Sequence, residues 1–398
     1  MNILILSPKM PFPPKDGGSV ATMNIAEGLA DSGNNVTLLC LNTLKHFYPE
    51  ENISPEIKKK LRFISVKHDT SPKIFKAILN FLFSSKPYIS VRFNSKAYEK
   101  KLKELLINEE FDLVQCEGPY LKDYFRFVRE LSRALISFRP QNVESEIWQG
   151  ISKNENCLIK KFYFKNLAER ILKLEKEVLD ASDILVPISE KDARFFLSVK
   201  KDTPFHILPT GLYVNEYQYN EPAYNYSFFF LGALDWKPNQ MGLLWFIDNV
   251  WRKYAFDAEF HIAGRRAPVW LGKILHKIPG IVFHGEVENA KQFMSHYGIM
   301  ICPLFAGSGI RIKIIESMLM AKVVITTPIG AEGLNVTDGE NIIISNYPHE
   351  FYEKIMALKE NPEYAKSIGK NATDFITGNF NNLALCNKLS DFYMKCIQ

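Results

Sequence analysis

A chain of 398 residues exceeds what one hydrophobic core usually serves, so two domains are expected. Its 46% hydrophobic and 23% charged residues are ordinary for a globular protein, and a net charge of +5 is too small by itself to imply nucleic-acid binding. The cysteines (Cys40, Cys116, Cys157, Cys302, Cys386 and Cys396) show no CxxC pair and no Cys/His ligand spacing, which argues against a disulfide scaffold or structural zinc and fits a reducing cytoplasm.

The first forty residues read strand, loop, helix, strand. Residues 3–6 are a continuous apolar run suited to a buried parallel strand; a Pro/Gly-rich loop follows at 8–18, then a helix over 20–30 and a strand at 36–40. The alternation recurs with strands at 113–116, 134–137 and 184–187, and a long helix over 158–181 is read from the spacing of Phe162, Leu167, Ile171, Leu174 and Val178. A second series places strands at 227–231, 259–263, 281–284, 299–303 and 323–326, then helices at 348–359 and 365–377. Two successive βα series predict two doubly wound parallel sheets, with ligand at the carboxyl ends of the strands in the cleft between domains. The N-terminus has no basic signal-peptide region, and no stretch reaches the ~20 apolar residues that span a bilayer. The expectation is a soluble or peripheral cytoplasmic protein.

Residues 51–103 differ in composition. They carry thirteen Lys/Arg against four acids, with Phe63, Phe75, Phe81, Phe83, Tyr88 and Phe93 interleaved. This pattern reads either as a patch for the anionic inner face of a membrane or as a solvated helical face over an ordinary core.

The most informative stretch runs from Pro303 to Met318. A strand ends, a small-residue loop turns, and a helix starts near Ile310. Gly307, Ser308 and Gly309 let backbone amides approach an anion, and a helix N-terminus favours negative charge. Arg311 and Lys313 in the first turn oppose that dipole unless a negative ligand sits there, which predicts a diphosphate. A plain glycine turn with Lys313 paired to Glu316 is the bland alternative.

The run GSGIRIKIIESMLMAKVVITTPIGAEGL resembles the donor region of GT-B glycosyltransferases of family 4, in the branch reading GGGTRLKxLEAMA. The resemblance implies two Rossmann-like α/β domains facing each other across a cleft: an acceptor domain over 1–205 that the C-terminal helix (380–398) rejoins, and a donor domain over 206–379. It also implies transfer from a nucleoside diphosphate sugar to a saccharide or lipid-linked saccharide acceptor, with retention and in polysaccharide or glycan assembly. No metal and no further cofactor is expected, since no DxD ends a predicted strand and cationic groups can stabilise the leaving diphosphate.

By that resemblance Glu316 binds the ribose, and Lys237 in the ALDWKPN segment meets the phosphates with Arg311 and Lys313. Gly264 and His284 lie beside the nucleotide, and Gly17 and Gly18 form the opposing glycine loop. Two departures stand out. Ser308 replaces the first Glu of the family's E-x7-E, and Gln141 replaces the His of its HNVE segment, so proton transfer there is not available. Lys237, Arg311 and Gln141 are the residues nearest the reaction on this reading. A non-catalytic nucleotide-sugar-binding subunit and a GT-B nucleotide-sugar epimerase remain as alternatives, the latter disfavoured because Gln141 and Ser308 supply no acid or base.

Overall fold

The computed structural model describes residues 1–153, 155–217, 226–306 and 309–398. The chain divides into two units, residues 1–211 with 382–398, and residues 212–381.

In the first unit, β1 (Asn2–Ser7), β2 (Asn35–Thr43), β3 (Leu61–His68), β4 (Leu113–Glu117), β5 (Leu135–Arg139) and β6 (Ile184–Leu185) pair in parallel in the order β3-β2-β1-β4-β5-β6. Both faces are covered because side chains alternate. Leu4 and Leu6 of β1 enter the cluster that holds Tyr98, Leu102 and Phe125, whereas Ile3 and Ile5 enter the one that holds Met23, Leu29, Leu389 and Tyr393. The helix Asn382–Ile397 therefore supplies core to the first unit, although its sequence follows the second.

The second unit repeats this winding. β7 (Phe228–Leu231), β8 (Phe260–Ala263), β9 (Ile281–Gly285), β10 (Ile299–Cys302), β11 (Val323–Thr326) and β12 (Ile343–Ile344) lie in the order β12-β11-β10-β7-β8-β9, again parallel. Phe228 and Phe230 pack to one side, Phe229 and Leu231 to the other. In each sheet the first strand of the series lies beside the fourth, and the winding direction reverses between them. Loops leaving β1 and β4, and those leaving β7 and β10, diverge there and open a crevice at the carboxyl ends.

Residues 51–103 do not form one helical face. They hold β3, which pairs with Val36–Thr43 of β2, and the helix Lys96–Asn108, whose Tyr98, Leu102, Leu105 and Leu106 are buried. Most of the basic residues are exposed, on the edge strand and on the helices of this stretch. The helix after β10 starts at Ile312 rather than near Ile310, with Arg311 as its N-cap residue.

Candidate functional site

At the reversal point of the second sheet, the loop after β7 leads into the helix Lys237–Phe246, and the loop after β10 leads into the helix Ile312–Leu319. Gly242 lets the first of these helices rest on the end of β10, since a Cβ there would lie 1.7 Å from the Pro303 carbonyl oxygen. The loop after β10 is pinned from below: Thr326 Oγ1 donates to the Cys302 carbonyl at 2.6 Å, and Thr327 Oγ1 accepts from the Leu304 amide at 3.1 Å. Gly309 has φ +78°, a backbone conformation that suits glycine. Gly307 and Ser308 lie outside the described residues.

Three cations stand at the starts of these two helices. Lys313 reaches between the two strand ends: its Nζ donates to Asn239 Oδ1 at 2.8 Å and sits 4.6 Å from the centre of the Phe230 ring. Among the described residues no carboxylate forms an ion pair with it. Burial pushes the Lys313 ammonium below its ordinary pKa, the Cys302 thiol works the other way, and the Arg311 charge adds to the depression. Arg311 is buried and donates from Nη1 to the Gly309 carbonyl, so its side chain braces the loop. Burial lowers its pKa too, against the pull of Cys302 and Glu332. Lys237 is exposed at the first position of its helix. All three are at helix N-termini, where positive charge opposes the backbone dipole and an anion would relieve it.

Glu316 lies one turn further along and accepts from the Tyr217 hydroxyl at 2.8 Å. Burial raises its carboxyl pKa, opposed by that hydrogen bond and by Lys291. It does not pair with Lys313. Lys291 instead stacks on Tyr217, 3.9 Å from the ring centre, and pairs with Glu216 at 3.0 Å. Gly264 packs at the end of β8, where a Cβ would lie 2.0 Å from the Gly232 carbonyl oxygen. The exposed His284 has its Nε2 3.0 Å from His261 Nδ1, and Glu259 lies 3.4 Å from the other ring nitrogen of His261. Burial lowers both imidazole pKa values, and His284 further lowers that of His261.

In the first unit, Gly17 and Gly18 open the helix Gly17–Asp31, and Asp16 caps it by accepting from the Ser19 amide at 2.9 Å. Burial works against the Asp16 charge, but His46, Lys9 and that amide together hold the carboxyl far below the usual range. Gly18 faces Gln141, whose Oε1 would lie 2.7 Å from an added Cβ. Gln141 Nε2 donates to Glu117 Oε2 at 2.8 Å and to Thr22 Oγ1 at 3.0 Å. Arg139 Nη1 donates to the same Glu117 oxygen at 2.7 Å, and Gln115 Nε2 donates to Glu117 Oε1 at 2.7 Å. Glu117 is thus the hub of a buried network at the ends of β4 and β5. Sequence reasoning missed it, as it missed Asn239 and Tyr217. The available signal for Glu117 was a carboxylate ending an apolar strand just before a glycine.

Residues 225–361 match the family profile described as Glycosyl transferases group 1. Over nearly their whole lengths, 96% of each, the chain is 25% identical to an uncharacterized 44.6 kDa protein in cps region of Klebsiella pneumoniae. Over 173 residues, 40% of this chain and 45% of the other, it is 28% identical to the uncharacterized glycosyltransferase MJ1178 of Methanocaldococcus jannaschii. Among solved structures it resembles Anabaena Alr3699/HepE in complex with UDP, at TM-score 0.69 and 14% identity over 99% of this chain and all of that one. It also resembles sucrose-phosphate synthase (tll1590) from Thermosynechococcus elongatus, at TM-score 0.71 and 15% identity over 99% of both chains. The fold is GT-B. Within this GT-B chain the family match covers most of the second unit, including Lys237, Gly264, His284, Arg311, Lys313 and Glu316.

Proposed function

We propose that the protein is a glycosyltransferase of the family 4 type, which moves a sugar from a nucleoside diphosphate sugar to a hydroxyl of a saccharide or lipid-linked saccharide, with retention and without a metal. The observation that carries this reading is the Lys313 ammonium, half-buried at the reversal point of the second sheet and held only by neutral partners among the described residues. A half-buried cation at a helix N-terminus stands without local compensation until an anion arrives. Lys237, Arg311 and Lys313 would hold the diphosphate, and Glu316 would accept from the ribose hydroxyls. The acceptor hydroxyl oxygen forms its bond to the anomeric carbon as the bond to the diphosphate oxygen breaks, its proton passes to an oxygen of the departing diphosphate, and the three cations stabilise the charge that develops on the leaving group. Gln141 spends its amide hydrogens on Thr22 and Glu117, so its part is to offer the carbonyl oxygen beside Gly18. Polysaccharide or glycan assembly in the cytoplasm, beside an anionic membrane that presents the acceptor, is the setting we propose.

A screen of nucleoside diphosphate release across UDP-, GDP- and dTDP-sugars tests the reaction. Calorimetry on Lys313→Met and Lys237→Ala tests the site, with the nucleotide affinity of each expected to fall by about 10- to 100-fold, the worth of one charge-assisted hydrogen bond. Wild-type affinity in both variants would remove the assignment. Tight nucleotide binding with no release or transfer from any donor would mark the protein as a non-catalytic binding subunit instead.

A further inference from the structure

The helix Ile74–Phe83 is amphipathic with its apolar stripe turned outward. None of its ten residues is buried. Ile74, Phe75, Ile78, Leu79, Leu82 and Phe83 follow the i, i+1, i+4, i+5, i+8, i+9 spacing of one helical face, and each is exposed, from 41% at Leu79 to 82% at Phe83. One edge of this stripe anchors the helix. Phe81 meets the rings of Phe162 and Tyr163 at 6.2 and 5.6 Å, and Arg170 donates to the Asn80 and Phe81 carbonyls at 3.2 and 2.8 Å. The stripe is therefore held outward by specific contacts.

The neighbouring helix Leu158–Asp180 continues the apolar surface through its first turns. Leu158, Ile159 and Phe162 are 80%, 82% and 64% exposed, and spacings of four and three residues put the first two on the same side as Phe162. Lysines border this face, and two of them are neutralised: Lys73 pairs with Asp69 at 3.7 Å and Lys86 with Asp123 at 2.7 Å. Residues 73–86 and 158–165 contribute Lys73, Lys76, Lys86, Lys160, Lys161 and Lys165 and no acid. Lys76, Lys160, Lys161 and Lys165 form no ion pair among the described residues, so a face meant for a second copy of the chain would bring four like charges against four. An apolar stripe bordered by lysines matches the acyl boundary of a leaflet bearing negative headgroups. No helix among the described residues is long and apolar enough to cross a membrane, so attachment at this face is to the surface.

We propose that the helix Ile74–Phe83 and the first turns of Leu158–Asp180 form one surface that inserts into the interface of an anionic bilayer. The membrane setting in the proposed function is given a location by this inference, which draws nothing from the nucleotide chemistry. It narrows the expected 51–103 patch to its middle and adds a segment eighty residues further on.

The test is co-sedimentation of the full chain with phosphatidylcholine vesicles, with and without phosphatidylglycerol, at low and high salt. Binding to the anionic vesicles is expected, weakened by salt, and reduced at least about tenfold in Phe75→Asp/Phe83→Asp, since both side chains leave the apolar interface. Lys76→Gln/Lys160→Gln/Lys161→Gln should lower binding and flatten the salt dependence. Unchanged thermal melting and unchanged nucleotide affinity in solution would show that the variants keep their fold and donor site. Wild-type protein that ignores anionic vesicles at low salt, binds neutral ones equally well, or binds no more tightly than the Asp variant overturns the proposal. So does wild-type protein that self-associates through this face without binding vesicles. Vesicle binding that persists in a protein with no nucleotide affinity would leave this surface standing and sink the reaction.

Discussion

Glu117, which is buried, and Lys313, which is half-buried, are charges solved in opposite ways. Glu117 ends β4 with donors from Arg139, Gln115, Gln141 and Thr22, and both members of its ion pair with Arg139 are almost wholly buried. Glu117→Gln would leave the Arg139 guanidinium uncompensated in the interior, at a cost of about 3–5 kcal/mol. The midpoint of urea denaturation should drop accordingly, and a loss below about 1 kcal/mol would mean that the network is not braced by charge. Lys313 has no such counter-charge among the described residues. Its removal in Lys313→Met should leave the melting temperature level or raised while nucleotide affinity falls. That contrast between stability and binding separates a ligand-facing cation from a structural one.

One helix start is set by a carboxylate drawn from elsewhere in the fold. Glu175, in the middle of the helix Leu158–Asp180, accepts from the amides of Glu144 and Ser145 at 2.6 and 3.3 Å and so caps the helix Glu144–Lys153. Burial raises its pKa from 4.5 to about 7, against those hydrogen bonds and with help from the Glu144 charge. A carboxyl whose folded pKa lies above its unfolded one stabilises the protein below the unfolded value. That contribution is lost as pH climbs from about 4.5 through about 7. Glu175→Gln imitates the protonated side chain. Melts at pH 5 and pH 8 should show it close to wild type in the acid buffer and more stable than wild type in the alkaline one, by on the order of 3 kcal/mol at most. A difference that does not grow with pH would refute the shift.

For the whole molecule, the last helix crosses back in sequence to complete the first core. Cys386, Leu389 and Tyr393 are buried there, and the Tyr393 hydroxyl donates to Gln115 Oε1 at 2.7 Å beside Ser137. A chain ending at Asn381 would expose this side of the sheet and strand Gln115 beneath it. Calorimetric scans should show the first unit melting at lower temperature or not folding. Nucleotide binding should survive, because residues 212–381 keep their own clusters. Loss of nucleotide binding along with the first unit would show that the two do not fold independently.

The alternation of apolar strands with helices was legible because parallel strands are buried on both faces and read as continuous runs. β3 was passed over because an edge strand keeps one flank in solvent, and its Arg62 and Lys67 broke the pattern. β12, of two residues, was also passed over. The sequence by itself determined the two βα series and the loops after β7 and β10, since these follow from local periodicity, glycine content and charge at helix starts. Only the tertiary structure decided that Lys313 meets Asn239, that Glu117 gathers Gln141 and Arg139, and that Ile74–Phe83 turns its apolar side outward. Those outcomes depend on which distant backbone passes nearby, and no local pattern of residues encodes that.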